Sequence, residues 1–204
     1  MASRIRVELV APNDQWMVAI DDLSQLVTRT VRAAVEAANR VHGACEVCVV
    51  LSDDRELKIL NQEYRNIDKP TNVLSFPGEP LDEDEGAYEI GGRPRVLGDI
   101  VIAYETMVRE SEAASIPLPD HLAHILIHGV LHLCRFDHEI DDDAAKMEAL
   151  EAAVLRELGI ADPYAPDRSA PTKKSAPKTS ARKKPLRKKT AKKGPAKKPA
   201  STKR

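Results

Sequence analysis

The stretch His128-Gly-Val-Leu-His132-Leu-Cys-Arg-Phe-Asp-His138 decides how this chain is read. Five of the six histidines fall between His121 and His138. Two imidazoles four residues apart leave a helix from one face, about one turn apart. A third, arriving after a bend, completes three corners of a tetrahedron. Such a tripod keeps a fourth position open, the arrangement of a catalytic zinc site rather than a closed structural one.

The residues before this stretch predict a helix over 119–133. His124, His128 and His132 repeat every four residues on one face, and Leu126, Val130 and Leu133 fill the remainder, so the helix is expected to be buried on most sides. Among the five histidines, an i, i+4 pair followed by a third after a bend favours His128, His132 and His138 as the ligands of one zinc ion per chain, on a zincin-like helix. His124 and His121, one and two turns earlier, are left as supporting or packing residues. The position after the first ligand carries information too. A zinc peptidase of the H-E-x-x-H kind places its general base there, but this chain has Gly129, with no side chain to move a proton. Peptide hydrolysis therefore ranks third among the readings. Phosphodiester cleavage needs instead a neutralised phosphoryl group and a positioned attacking oxygen, which a metal and an arginine supply.

Outward from the histidines the pattern alternates strands and helices. Residues 4–11 alternate charged and apolar side chains like an edge strand, and 23–42 repeat apolar residues at helical spacing (Leu23, Leu26, Val27, Val31, Ala34, Val35, Ala38) up to Gly43. A buried strand is expected over 45–51. A helix capped by Asp53 or Asp54 should then run to about Tyr64, with strands over 73–76 and 96–103. The segment between those strands, 77–95, holds Gly, Pro and the acids Asp82-Glu-Asp-Glu85, the composition of an exposed, mobile loop. Helices are expected over 105–114 and 142–158, the last opening on acids and closing at Gly159.

The net charge of -1 conceals a separation. Residues 169–204 hold 15 lysines and arginines and no acid, leaving 16 bases against 32 acids in the first 168 residues. Pro, Ala, Ser, Thr and Lys dominate this tail, so it is read as disordered, with a domain over 1–162 and the tail over 163–204. Lys183, Lys184, Arg187, Lys188, Lys189, Lys192 and Lys193 are the densest cations and the candidates for contact with RNA phosphates. A solubilising tail, or one that folds back on the acidic loop, are the alternatives. Cys45 and Cys48 form a C-x-x-C inside an apolar run, with no second pair to close a zinc site, which favours buried structural thiols over redox or metal roles. No run of 18 apolar residues is present, and the opening Met-Ala-Ser-Arg-Ile-Arg has no apolar core of a signal peptide. A cytoplasmic location without membrane association is the expectation.

Three ordered motifs carry a resemblance. The segment 128–138 resembles the H-G-x-L-H-L-x-G-Y-D-H signature of the YbeY family of bacterial endoribonucleases. The block Leu60-Asn-Gln-Glu-Tyr-Arg-Asn-Ile-Asp-Lys-Pro-Thr-Asn-Val-Leu-Ser-Phe-Pro77 is similar to that family's other hallmark, and Leu97-Gly-Asp-Ile100 to its G-D-I strand. The resemblance covers most of residues 5–160. It implies an α+β fold, a small mixed β-sheet packed with helices, and zinc on His128, His132 and His138. It also implies an essential arginine at Arg65, which by itself reads more readily as a solvated cation at a helix C-terminus. One departure stands out: Arg135 and Phe136 replace the family's Gly and Tyr. A residue other than Gly in a left-handed bend costs about 1 kcal/mol or more, which puts the local turn in question but not the ligands.

The function implied is a zinc-dependent, single-strand-specific endoribonuclease of ribosomal RNA maturation, acting at the small-subunit 3′ end and in ribosome quality control. Arg65 would grip the scissile phosphate, and His124, Asp137 and Asp99 would support the ligands. Ribosomal RNA and the small ribosomal subunit are the implied partners, with an assembly GTPase and ribosomal proteins. The leading rival is a ribosome-assembly factor with structural zinc and little nuclease activity.

Overall fold

The alternating residues of β1 (Arg4–Val10) and the apolar run of β2 (Ala44–Ser52) pair in parallel, and β2 pairs in parallel with β4 (Arg95–Ala103). The short β3 (Val73–Pro77) returns antiparallel to β4, giving a mixed sheet in the order β1-β2-β4-β3, with β1 and β3 at its edges. This is the computed structural model of the chain, describing residues 4–12, 14–78, 93–138 and 141–164. The acidic loop residues 82–85 and the tail cations named above lie outside the described residues. The described residues up to 164 belong to one compact unit.

Among the described residues six helices surround the sheet: α1 (Gln15–Ala19), α2 (Leu23–Ala38), α3 (Asp54–Arg65), α4 (Tyr104–Ala114), α5 (Leu118–Leu133) and α6 (Asp141–Glu157). Side chains alternate across a strand, so each strand sends residues to two faces. Val47, Val49, Leu51, Leu97, Ile100 and Ile102 face the main core, shared with α2, α5 and α6. Val101, Ala103 and Leu74 turn the other way, against Leu57 of α3. The fold is α+β, as expected, and α5 is its central helix. Leu122, Leu126, Ile127, Leu131 and Leu133 are fully buried there, so truncating one of these leucines to alanine costs about 2 to 5 kcal/mol.

Two differences from the sequence reading have clear causes. Helix α2 ends at Ala38 instead of running to residue 42, because Asn39 takes a left-handed conformation (φ 49°), which a short amide side chain tolerates. Helix α1 was not expected, having only five residues. Its Trp16 is fully buried and donates Nε1–H to the Ser52 carbonyl at 3.0 Å. Two capping signals are kept. Asp53 caps α3 by accepting from the Glu56 amide at 2.9 Å, and Gly159 closes α6 at φ 78°, with the Ile160 amide on the Leu155 carbonyl.

Candidate metal centre

Helix α5 leaves its histidines where the core stops. Gly129 sits against the sheet, and a Cβ added there would lie 3.1 Å from Ile100 Cγ2 and 3.2 Å from Ser75 Oγ. The absence of a side chain lets helix and sheet approach closely, so a side chain after His128 would enter only if Ile100 and Ser75 shifted by a few tenths of an ångström, and glycine itself offers no general base. Ser75 Oγ–H donates to the Gly129 carbonyl at 3.3 Å, tying β3 to the helix beside the histidines.

The turn after α5 brings back the third imidazole. The Arg135 amide donates to the His132 carbonyl at 3.0 Å and the Phe136 amide to the Leu131 carbonyl at 2.9 Å, a Schellman closure with Arg135 left-handed at φ 64°. A left-handed bend of the kind that glycine usually makes is thus made here with Arg135. Its carbonyls are held from outside: Arg40 donates to the carbonyls of Cys134 (3.2 Å) and Arg135 (2.8 Å), and its guanidinium lies 3.9 Å above the Phe136 ring. These contacts offset the left-handed strain.

His128, His132 and His138 come together, each offering a ligand atom within 4.8 Å of the others. His128 Nε2 and His132 Nε2 are 3.1 Å apart. Each ring is bonded on its other nitrogen: His128 Nδ1 lies 2.8 Å from Glu151 Oε1, and His132 Nδ1 lies 3.1 Å from the Phe136 carbonyl. Both partners are acceptors, so each Nδ1 carries the proton and the two Nε2 atoms present lone pairs to each other. That arrangement is favourable only around a cation, and nitrogens on a tetrahedral zinc with bonds of about 2.0 to 2.1 Å stand about 3.3 Å apart. The donor set therefore fits a metal ion. Burial, and then the like charges of His128 and His138, hold His132 below the ordinary imidazole value, a shift toward the neutral form that ligates.

Glu151 is the residue that the sequence reading missed. Its side chain is only 1% exposed on α6, and it bonds His128, His124 Nε2 (3.2 Å) and the Tyr164 hydroxyl. Burial pushes its carboxyl up, but the hydrogen bonds from His124, His128 and Tyr164 outweigh this and hold it at about 2. The signal was present, since Glu151 is an acid on the apolar stripe of α6 that includes Met147, Val154 and Leu155. His121 lies apart, with Nε2 3.0 Å from Glu110, which also accepts from Asn72. Asp137 accepts from the His138 amide at 2.7 Å. Asp99 is not brought to the histidines. It is exposed on β4, on the face opposite to Ile100, beside Cys48, whose thiol is raised by burial and then by the Asp99 charge. Cys45 and Cys134 are buried, and burial pushes their thiols up to about 11 and about 12, the character of inert structural thiols.

A cleft of about 610 Å³ opens over the three histidines, lined also by Arg65, Thr71, Asn72, Ser75 and Asp137. Arg65, at the last position of α3, is exposed and has no hydrogen-bond or ion-pair partner among the described residues. The turn that carries Asn72 is fixed, because its side chain accepts from the Val73 amide and its carbonyl accepts from Ala103. No helix among the described residues is long and apolar enough to cross a membrane.

A family model described as Endoribonuclease YbeY matches residues 11–159. Among curated relatives, a protein named Endoribonuclease YbeY from Bradyrhizobium diazoefficiens is 48% identical over 158 residues, covering 78% of this chain and 84% of the relative. Proteins of the same name from Rhodopseudomonas palustris (44% identical, 78% of this chain, 80% of the relative) and Paramagnetospirillum magneticum (41%, 80% and 98%) are similar to it as well. A solution structure of a Thermotoga maritima protein aligns with 79% of this chain and 99% of its own length, at a TM-score of 0.46 and 24% identity. The matched span includes both ends of the cleft, from Arg65 to His138, and the chain belongs to the endoribonuclease YbeY family.

Proposed function

We propose that this chain is a metal-dependent endoribonuclease that cuts single-stranded RNA during maturation of ribosomal RNA, at the 3′ end of the small-subunit species, and that it serves ribosome quality control. The observation that carries the reading is the cleft lined by Arg65, which has no hydrogen-bond or ion-pair partner among the described residues, together with three converging histidines. Family membership supports RNA as the substrate. Zinc is the proposed ion, because three imidazole nitrogens suit it and leave a coordination position for substrate or water. When bound, such an ion polarises a phosphoryl oxygen and acidifies water.

The chain's own groups account for the rest. The guanidinium of Arg65 presents a planar fork to two phosphate oxygens and stabilises charge as it develops on phosphorus. The Thr71 hydroxyl and Asn72 line the same wall and orient the ribose-phosphate backbone. The body carries 16 bases against 32 acids, so long-range attraction to RNA falls to the 15 cations beyond residue 168. The reading places the protein in the cytoplasm, on the small ribosomal subunit, with an assembly GTPase and ribosomal proteins as neighbours.

Arg65→Ala tests it. Zinc content and melting temperature should stay near wild type while cleavage of precursor small-subunit RNA falls by a factor on the order of 100 to 1,000. Arg65→Lys should restore little, since an ammonium lacks the planar fork. Equal rates for wild type and Arg65→Ala would mean that the cleavage belongs to a contaminant or that Arg65 is structural. Deleting 169–204 should leave the fold intact and flatten the log-log salt dependence of RNA binding, whose slope is roughly -5 to -6 if about 8 cations engage a single strand. An unchanged slope would remove the tail from RNA binding.

A further inference from the structure

We propose that Glu151 is a positioning residue of the metal centre. Its carboxylate takes the protonated Nδ1 edge of His128 and so turns Nε2 into the cleft as the donor, while His124 and Tyr164 hold the carboxylate in place. The inference rests on the metal-centre reading above and adds to it residues from α6 and from the segment that follows.

A carboxylate 1% exposed inside a helical layer is tolerated only when paired and hydrogen-bonded. Here three donors converge on it, from His124 and His128 of α5 and from Tyr164 beyond α6. An ionised carboxylate accepts only, so each nitrogen that faces it must bear a proton. For His128 the facing atom is Nδ1, which makes Nε2 the lone-pair nitrogen. For His124 the facing atom is Nε2, so the same carboxylate directs that ring's Nε2 away from ligation. One buried group thereby sorts two neighbouring histidines of one helix into a ligand and a support.

The two helical ligands are fixed by different means. His132 is oriented by the Phe136 carbonyl, four residues away in the turn that closes its own helix. His128 depends on an acid 23 residues further on, and that acid depends on a tyrosine another 13 residues along. The short segment that carries Tyr164 therefore reaches the metal centre, and a chain cut at residue 162 would lose this contact. Tyr164 also meets the His124 ring edge-on, with centroids 5.7 Å apart, so it holds both members of the supporting pair.

Nitrogen-15 spectra of the full-length, metal-free protein report which His128 nitrogen carries the proton, and Nδ1–H is expected. Zinc affinity, measured by competition with a coloured chelator, should fall about 10- to 100-fold in Glu151→Gln, with loss of the uniform Nδ1–H signature and a retained cooperative melt. Tyr164→Phe keeps the carboxylate and should lose less, under about 10-fold. An Nε2–H tautomer at His128 in the wild-type protein overturns the proposal, as does wild-type zinc affinity in Glu151→Gln. If Glu151→Gln does not fold, the wild-type tautomer and the Tyr164→Phe affinity decide it, and an unchanged affinity in Tyr164→Phe overturns the tyrosine's part. No step uses RNA. A protein whose zinc affinity depends on Glu151 but that cuts no RNA overturns the nuclease reading and upholds this one, whereas a wild-type protein that takes up no zinc overturns both.

Discussion

Helix α5 presents two pairs of histidines that look equivalent in the sequence and are opposite in the structure. In His121 and His124 the acidic partner sits on Nε2, contributed by Glu110 and Glu151. In His128 and His132 the acceptor sits on Nδ1, and the Nε2 atoms meet at 3.1 Å. Both pairs carry the same side chain on the same helix, one or two turns apart. Which nitrogen meets an acceptor decides whether an imidazole closes into a structural bond or opens toward a metal. Spacing places the rings, but the neighbours choose the nitrogen.

The sharpest way to break this contrast is to remove one ring from each pair. His132→Ala should lower zinc affinity by more than about 100-fold, because two remaining ligands no longer enclose the ion. His121→Ala should retain near wild-type affinity and lose only its bond to Glu110. Metal analysis after dialysis against a weak chelator reads both variants, and equal losses would mean that the pairs are not distinct. This outcome also measures how far the site was legible beforehand. The triplet was readable because 3.6-residue periodicity puts positions 128 and 132 on one face. Glu151 was not, because its partner His128 lies 23 residues away and the pairing exists only once α6 packs on α5.

Acid provides the next test. His132 is held below 6.5 by burial and by the charges of its two neighbours, so over a window just below pH 6.5 the unfolded chain binds a proton that the folded chain does not. Stability of the metal-free protein should therefore fall as pH drops below 6.5, with a slope of up to about 1.4 kcal/mol per pH unit for one proton, and level off below the folded value. Urea midpoints across pH check this. The slope should be shallower in His132→Asn, and an identical slope would assign the proton elsewhere.

The smallest expected effect concerns the turn between the second and third ligands. Arg135→Gly should raise stability by about 1 kcal/mol by relieving the left-handed strain, and leave zinc affinity unchanged, because Arg40 grips backbone carbonyls that remain. Differential scanning calorimetry would detect it. A loss of stability would show that the Arg135 side chain contributes more than its backbone geometry costs.

By itself the sequence determined the local events. Asp53 starts α3, Gly159 ends α6, two histidines share one face near the end of α5 with a third just beyond it, and acids and cations separate along the chain. Each of these is governed by residues within a turn or two, or by composition. The motifs that resemble the YbeY family also identified the α+β class before any coordinate was known. Only the tertiary structure decided which side chains meet. Asp99, expected near the ligands, faces away because its neighbour Ile100 occupies the α5 side and side chains alternate across β4. Arg65 reaches the cleft because α3 ends beside β3, Arg40 steadies a turn 94 residues away, and Glu151 and Tyr164 close around His128. Such contacts depend on the packing of helices and sheet, in which a one-residue change of phase moves a side chain to another face.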